Sequence, residues 1–458
     1  MEQSQKNTGK LGNWIRTSVT ARMFMIGILI LVLLIPLTFI KDLIRERSQR
    51  KQDVMKEISK KWGGEVLFYG PVMEIPFKTF QEKTVVDEST KKIYTETIES
   101  VEYAYFFPET LDIDTKVDPE EKYYGIYKTS VYESSMNISG SFTKPDFSEK
   151  EVEEKHILWD KAKIVFRMSN QKGVSNKVEI RLGANAYAFK SRYTTDDVYE
   201  SDFPALNTLE SSLLKKEDIP MEHTSDFSMK LNIKGSQQIS FIPAGKQTTV
   251  NMVSDWKTAN FFGEFLPYND DKVHENGFDA RWKILDINRP FSQQYFNQLP
   301  RLNSYAFGVN FMIPVDEYQK SERSAKYGFM VICLTFLVFF LIQTMSGINI
   351  HPFQYLMIGL ALTMFYTLLI SISEHSNFFK AYLVAGISVV ALITAYSVSI
   401  LRSRSFPMFI FLSLTALYSF IYVIIQLENY ALLVGSTGLF LILAIIMFVS
   451  RKIDWGNS

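Results

Sequence analysis

Six stretches of this sequence are uncharged and long enough to cross a lipid bilayer, and they decide what the chain can fold into. They cover residues 23–40, 327–343, 353–373, 381–401, 407–427 and 431–449, and none contains Asp, Glu, Lys or Arg. A helix needs roughly 20 apolar residues to span a hydrocarbon core of about 30 Å, and only a backbone that satisfies its own amides persists there. The competing reading, buried helices of a soluble protein, would have to hide five such runs between residues 327 and 449. The breaks between the runs are polar. Ser346-Gly347-Ile348-Asn349 precedes Pro352, which is placed to open a helix, and Glu374-His375-Ser376-Asn377 closes that helix. Arg402-Ser403-Arg404 and Glu428-Asn429-Tyr430 supply the other two. The first run ends in Phe39-Ile40-Lys41-Asp42, with no small-residue cleavage site, so it reads as an uncleaved anchor and not as a signal peptide.

Six spans put both termini on one side of the membrane. Basic residues in short loops favour the cytoplasm. With the N-terminus inside, the short inner segments hold Lys6, Lys10, Arg16, Arg22, Arg402, Arg404, Arg451 and Lys452, whereas the short outer loops hold only Lys380. Lys41, Arg45, Arg47, Arg50, Lys51, Lys320, Arg323 and Lys326 would then lie outside, beside the large domain. Long domains cross largely regardless of charge. The expected layout is a cytoplasmic segment 1–22, an anchor 23–40, a helical stalk 41–62, an extracytoplasmic domain 63–326, a five-span bundle 327–450 and a cytoplasmic tail 451–458.

The chain holds 49 basic and 49 acidic residues, but residues 41–326 carry a net charge of −5, 40 basic against 45 acidic. Such a domain lacks the footprint of a nucleic-acid binder. The single cysteine, Cys333, lies in the second apolar run, so residues 41–326 can form neither a disulfide nor a cysteine metal site.

Within the stalk, Glu46/Arg50 and Glu57/Lys61 are spaced as i,i+4 pairs, and Val54, Met55, Ile58 and Trp62 share one face. Arg47 and Lys51 interrupt that face earlier, so only the second half is expected to pack on the domain. A helix lying in the membrane surface is the rival reading. Gly63-Gly64 ends the helix. Beyond it the apolar period changes to two, over 66–69, 72–77, 93–107, 123–142, 163–168, 178–182, 227–233, 238–242, 280–287 and 307–313. One short helix is expected near 206–214. Residues 169–177 and 149–154 read as loops. The predicted product is a large, mainly antiparallel β domain, sandwich-like, in one copy or two.

Chemistry-bearing motifs are sparse. The sequence has no Gly-rich phosphate loop, cysteine pair or zinc-binding helix motif, and no catalytic residue, cofactor or metal is expected from it. Of five histidines, His156, His223 and His274 sit in polar segments. His351 and His375 flank the third span, and Glu374 adjoins the second of them. At 1.5 Å per residue those two are roughly 36 Å apart, too far to share an ion. Helix-end contacts are the plain reading for both, and Glu374-His375 is the functional candidate. Thr363, Tyr366, Thr367, Thr394, Tyr396, Ser397, Ser413, Tyr418 and Ser419 are ordinary interhelical hydroxyls. Ala391, Ala395 and Ser399 are expected to give the fourth span a smooth packing face, as Gly435 and Gly438 do for the sixth. No ionisable residue stands within a span, which argues against a coupled transporter.

A series of short segments resembles one family. It runs from Leu34-Ile35-Pro36-Leu37 and Ile44-Arg45-Glu46-Arg47 through Trp62-Gly63 and Gly70-Pro71-Val72-Met73-Glu74-Ile75-Pro76. It continues at Phe107-Pro108-Glu109, Gly125-Ile126-Tyr127-Lys128-Thr129-Ser130-Val131-Tyr132 and Phe261-Phe262-Gly263-Glu264-Phe265-Leu266-Pro267. Gly277-Phe278-Asp279-Ala280-Arg281-Trp282, Pro314-Val315-Asp316-Glu317-Tyr318-Gln319, Ile350-His351-Pro352-Phe353-Gln354-Tyr355 and residues 369–375 complete it. Together these resemble the CreD family of inner-membrane proteins, also called cell envelope integrity proteins. Residues 145–225 match least. Ile342-Gln343 departs from the pattern, since similar proteins carry an acidic residue after the second span.

The resemblance implies a bacterial inner membrane, with residues 41–326 in the periplasm. It also implies a link to envelope integrity, colicin tolerance and responses to cell-wall-active antibiotics, commonly beside a two-component sensor kinase and regulator. No enzymatic activity or cofactor comes with it. The expected partners are the lipid bilayer and an envelope component or sensor protein. The leading expectation is a non-enzymatic protein that maintains or senses the envelope. Second stands a transporter or lipid-handling protein, with a groove lined by Tyr366, Tyr396, Tyr418 and Ser419. Third is a membrane enzyme using Glu374 and His375.

Overall fold

The computed structural model describes residues 19–86, 93–192, 206–311, 317–401, 405–427 and 430–451. The N-terminal charges Lys6, Lys10 and Arg16, the Arg402-Ser403-Arg404 and Glu428-Asn429 breaks, the Pro314-Val315-Asp316 segment and the tail from Lys452 lie outside the described residues. The chain divides into two compact units, Met1–Gln52 with Val315–Ser458, and Asp53–Pro314.

Helix α1 (Val19–Trp62) takes the anchor and the stalk in one unbroken run of 44 residues, about 66 Å long at 1.5 Å per residue. Gly63 and Gly64 stop it with φ of +147° and +73°, a conformation other residues resist, and both amides bond Ser59 O. Within the stalk, Lys61 Nζ donates to Glu57 Oε1 at 2.7 Å. Val54, Ile58 and Trp62 line a small cavity with Tyr124, and Trp62 lies between the ammonium groups of Lys122 and Lys234, each 5.3 Å from the ring. The second half of the stalk therefore packs on the domain, as its apolar face predicts.

The membrane unit continues with the amphipathic helix α2 (Glu317–Lys326), then α3 (Gly328–Ser346), α4 (Pro352–Ser373), α5 (Phe378–Leu401), α6 (Ser405–Gln426) and α7 (Ala431–Ser450). Among the described residues six helices, α1 and α3 to α7, are long and apolar enough to cross a membrane. Gly359 of α4 leaves room for Leu33 of α1, whose Cδ1 stands 2.0 Å from where a Cβ would be. The small-residue expectation for α5 is corrected. Ala391, Ala395 and Ser399 are exposed, and the packed face is Ala381, Ala385, Val389, Ile393 and Ser397. Tyr382, also buried on α5, meets the rings of Phe365 on α4 and Tyr418 on α6.

The second unit is built from β1 (Val66–Val86), β2 (Ile93–Phe106), β3 (Thr110–Tyr124), β4 (Tyr127–Phe142), β5 (Lys163–Met168), β6 (Glu179–Leu182), β7 (Asn185–Arg192) and β8 (Asn207–Ser211). It is completed by β9 (Ser225–Ser236), β10 (Gln238–Ile242), β11 (Gln247–Ser254), β12 (Ala259–Gly263), β13 (Val273–His274), β14 (Gly277–Leu285), β15 (Gln294–Phe296) and β16 (Phe307–Phe311). The main pairing path runs β12-β16-β10-β1-β5-β8-β7-β6-β9-β4-β3-β11-β14-β13. Two layers result, and β7 belongs to both. Asn185–Ala188 pair with β6 in one layer, and Phe189–Arg192 with β8 in the other. The layers close on one core, with Trp282 against Phe307 at 5.6 Å and Tyr132 against Phe311 at 5.1 Å between ring centroids.

Among the described residues one sandwich forms, not two, and its pairing is antiparallel except for β1–β10 and β3–β11. The helix expected near 206–214 is instead the strand β8. Leu206, Leu209 and Leu213 imitate a helical spacing, but β5 and β7 supply backbone partners on both sides. The single strand expected over 123–142 is the second arm of a hairpin. Tyr124 pairs with Tyr127 across a two-residue loop, and Gly125 supplies the positive φ (+61°) that such loops need.

Candidate functional site

The sequence singles out Glu374, His375 and His351, and the fold separates His351 from the other two by the full length of α4. His351 caps the start of that helix. Its Nδ1 accepts from Phe353 N at 3.2 Å, while its own amide donates to Gln354 Oε1 at 2.8 Å. Such reciprocal bonds satisfy amides that have no partner within the helix. His375 lies just beyond the other end, is exposed, and bonds through its backbone to Ile372 O. The histidines do not converge, and among the described residues no group of three His, Cys, Asp or Glu side chains could hold a metal ion.

Glu374 is engaged. Tyr318 Oη donates to its Oε1 at 3.2 Å, and Arg47 Nε stands 3.7 Å from the same atom. Lys51 Nζ lies 5.8 Å from the centre of the Tyr318 ring. One residue earlier on α2, the Glu317 carboxylate accepts from Phe378 N at 2.8 Å, placing negative charge at the positive end of α5. Neighbouring positions of α2 thus tie it to the end of α4 and the start of α5. The face of α2 that carries Tyr318, Ser321, Ser324 and Ala325 is buried. Nothing in the sequence flagged this helix, because its buried face is made of small and polar side chains.

At the other end of α4, Tyr355 Oη donates to Gln343 Oε1 at 2.8 Å in a buried pair. The neutral amide of Gln343 binds the hydroxyl without placing a charge in the bundle. The groove expected around Tyr366, Tyr396, Tyr418 and Ser419 is corrected. Tyr366 and Tyr418 are buried in a ring cluster centred on Phe365, at 5.0 and 4.6 Å between centroids, and Ser419 faces outward. Tyr382 Oη donates to Tyr418 O across the same cluster.

The strand domain holds a buried ionic centre that patterns alone did not reveal. Arg192, on β7, donates from Nη1 and Nη2 to the two oxygens of Glu74 on β1, and from Nε to Glu210 on β8 at 2.7 Å. Lys163 Nζ adds a bond to Glu210 at 3.1 Å. Glu74 is 2% exposed and Glu210 7%. Burial alone would weaken the hold of Arg192 on its proton, but the two carboxylates outweigh it and push its pKa up. Burial likewise disfavours ionised Glu210, yet Arg192 and Lys163 hold it below the ordinary carboxylate value. Fully paired groups of this kind fasten strands together and offer no free acid, base or nucleophile. A second buried cation, Arg289, stacks 4.2 Å over Phe291 and bonds Gln293, whose amide donates to Pro108 O. Burial pulls the Arg289 pKa down.

Comparison with known proteins places the chain as a whole. The family described as "Inner membrane protein CreD" matches residues 18–456. The inner membrane protein CreD of Escherichia coli (strain K12) is 29% identical over 433 residues, which cover 93% of this chain and 91% of that protein.

Proposed function

This chain belongs to the CreD family of inner membrane proteins, and we propose that it maintains or senses the state of the bacterial cell envelope without catalysing a reaction. In this reading both termini are cytoplasmic, the strand domain is periplasmic, and a two-component sensor system is the regulatory partner. The short-loop charge count supports that orientation.

One observation carries the proposal. The strand domain exposes apolar side chains on its longest hairpins. On β1–β2, Phe80 pairs opposite Glu99 and so shares a face with Val101 and Tyr103, and the three are 46%, 47% and 42% exposed. At the tip of β3–β4, Tyr123, Tyr124 and Ile126 are also exposed. Neighbouring exposed apolar groups on a regular surface mark a place for a partner. The domain is held in the chain between two membrane-crossing helices, so a partner bound there acts on a doubly tethered element.

Photo-crosslinkers at Val101 and Tyr124 in the full-length protein in living cells test the proposal. The expected result is a defined adduct with one envelope component or sensor protein. Absence of any specific adduct, together with a deletion strain whose sensitivity to detergents and cell-wall-active antibiotics is normal, overturns it.

A further inference from the structure

The last membrane helix is poorly covered. No residue of α7 is buried, and its main neighbour is α6. Between α3, α6 and α7 lies a cavity of about 1200 Å³. One end is marked by Met345, Ser405 and Arg451, which stand at the ends of these three helices. The other end lies within the span, at Leu334, Phe420 and Gly438. There the Phe420 ring fills the notch that Gly438 leaves, since a Cβ on Gly438 would stand 2.1 Å from Phe420 Cζ. From Gly438 to Arg451 the wall rises about 20 Å at 1.5 Å per residue, somewhat more than half of a hydrocarbon core of about 30 Å.

We infer that this cavity is a binding site for one anionic phospholipid, its acyl chains between α3, α6 and α7 and its phosphate at Arg451. Three observations select that occupant. The walls are membrane-crossing helices, and among the described residues the polar lining is limited to Thr335, Ser405, Ser413 and Arg451. Hydrocarbon suits such a lining, whereas water or a hydrophilic peptide would find too few partners along it. Arg451, the one charged lining residue among those described, stands at the membrane boundary, where a guanidinium meets a lipid phosphate in fork geometry. The cavity also stops partway across, so its shape fits the chains of a single leaflet and not a path from side to side.

The test uses the full-length protein in detergent, with native mass spectrometry in the presence of phosphatidylglycerol or phosphatidylcholine of the same chain length. One lipid should stay bound. Phosphatidylglycerol should be retained about fivefold more tightly, the factor expected for one cation near an anionic headgroup. Arg451→Gln should abolish the preference while leaving chain binding. Ile445→Trp, which fills the cavity, should lose both lipids with an unchanged circular dichroism spectrum. Ser413→Leu is the milder version if the tryptophan variant does not insert, and it should lower retention of both. Equal retention of the two lipids by the unaltered protein overturns the inference. So does undiminished retention in the cavity-filling variants, or a lipid-free dimer that Ile445→Trp dissociates, which would assign this face to a second copy.

Discussion

Arg192 grips both carboxylate oxygens of Glu74, 118 residues away in the chain, at 2.8 and 2.5 Å. The contact joins the first strand of the domain to the strand shared by its two layers. Fork geometry makes it specific, because guanidinium and carboxylate match atom for atom.

Arg192→Met should therefore strand a buried carboxylate. The expected loss is about 3–5 kcal/mol, the range for removing one partner of a buried ion pair. Urea-dependent proteolysis of the full-length protein measures it. Adding Glu74→Leu should return much of that stability, since a paired apolar replacement leaves no charge uncompensated. If the double variant is no more stable than the single one, the pair is not the source of the loss.

Acid should act through the same centre. Glu210 is held below its ordinary pKa of 4.5 against the pull of burial. A carboxyl whose folded pKa is depressed stabilises the fold fully above its unfolded value, and the benefit fades as pH falls through the folded one. The melting temperature should accordingly drop as the pH is taken below about 4.5. Arg192→Met should flatten that slope. A slope unchanged by the substitution would place the acid sensitivity elsewhere.

Glu374 and His375 separate a structural role from a chemical one. Tyr318→Phe removes one hydrogen bond to Glu374 and should cost about 0.5–1.5 kcal/mol. His375 is exposed, and His375→Ala should stay within about 0.5 kcal/mol of the unaltered protein. A double Glu374→Ala, His375→Ala variant that still inserts should restore envelope-stress tolerance to a deletion strain. Failure to do so at normal protein levels would revive the enzymatic reading.

The core offers a plain packing test. Trp282 is fully buried, its ring meets Phe307 and Phe261, and Nε1 donates to Phe265 O at 3.1 Å. Trp282→Ala should cost about 3–5 kcal/mol by the cavity it leaves. Thermal unfolding in detergent reads the change.

Orientation can be read with one thiol. With Cys333→Ser as background, Ser148→Cys lies on an exposed turn of the strand domain. A membrane-impermeant maleimide should label it in intact spheroplasts. Labelling only after lysis would invert the proposed topology.

The membrane helices were legible because lipid leaves a chain few options: α3 ends and α4 begins and ends at polar breaks, whereas α1 runs on through Lys41-Asp42 into the stalk. The strand domain was legible where apolar alternation is clean, as over 227–233. It was missed at β3. There Leu111, Ile113, Thr115 and Val117 alternate inward, but Asp112, Asp114, Asp118, Pro119 and two glutamates mask the pattern with residues that strands disfavour. The fold tolerates Pro119 because β11 pairs β3 only as far as Val117, so the proline falls where one neighbour has ended. The ionic centre could not be read at all. Glu74, Arg192 and Glu210 are ordinary charges in sequence, and only strand order makes them neighbours.

A strand that changes layers between Ala188 and Phe189 has a mechanical meaning. Neither face of the sandwich can be peeled away alone, because the same backbone is stitched into both. Pulling on either tethered end loads one seam, and the domain should give way all at once instead of layer by layer.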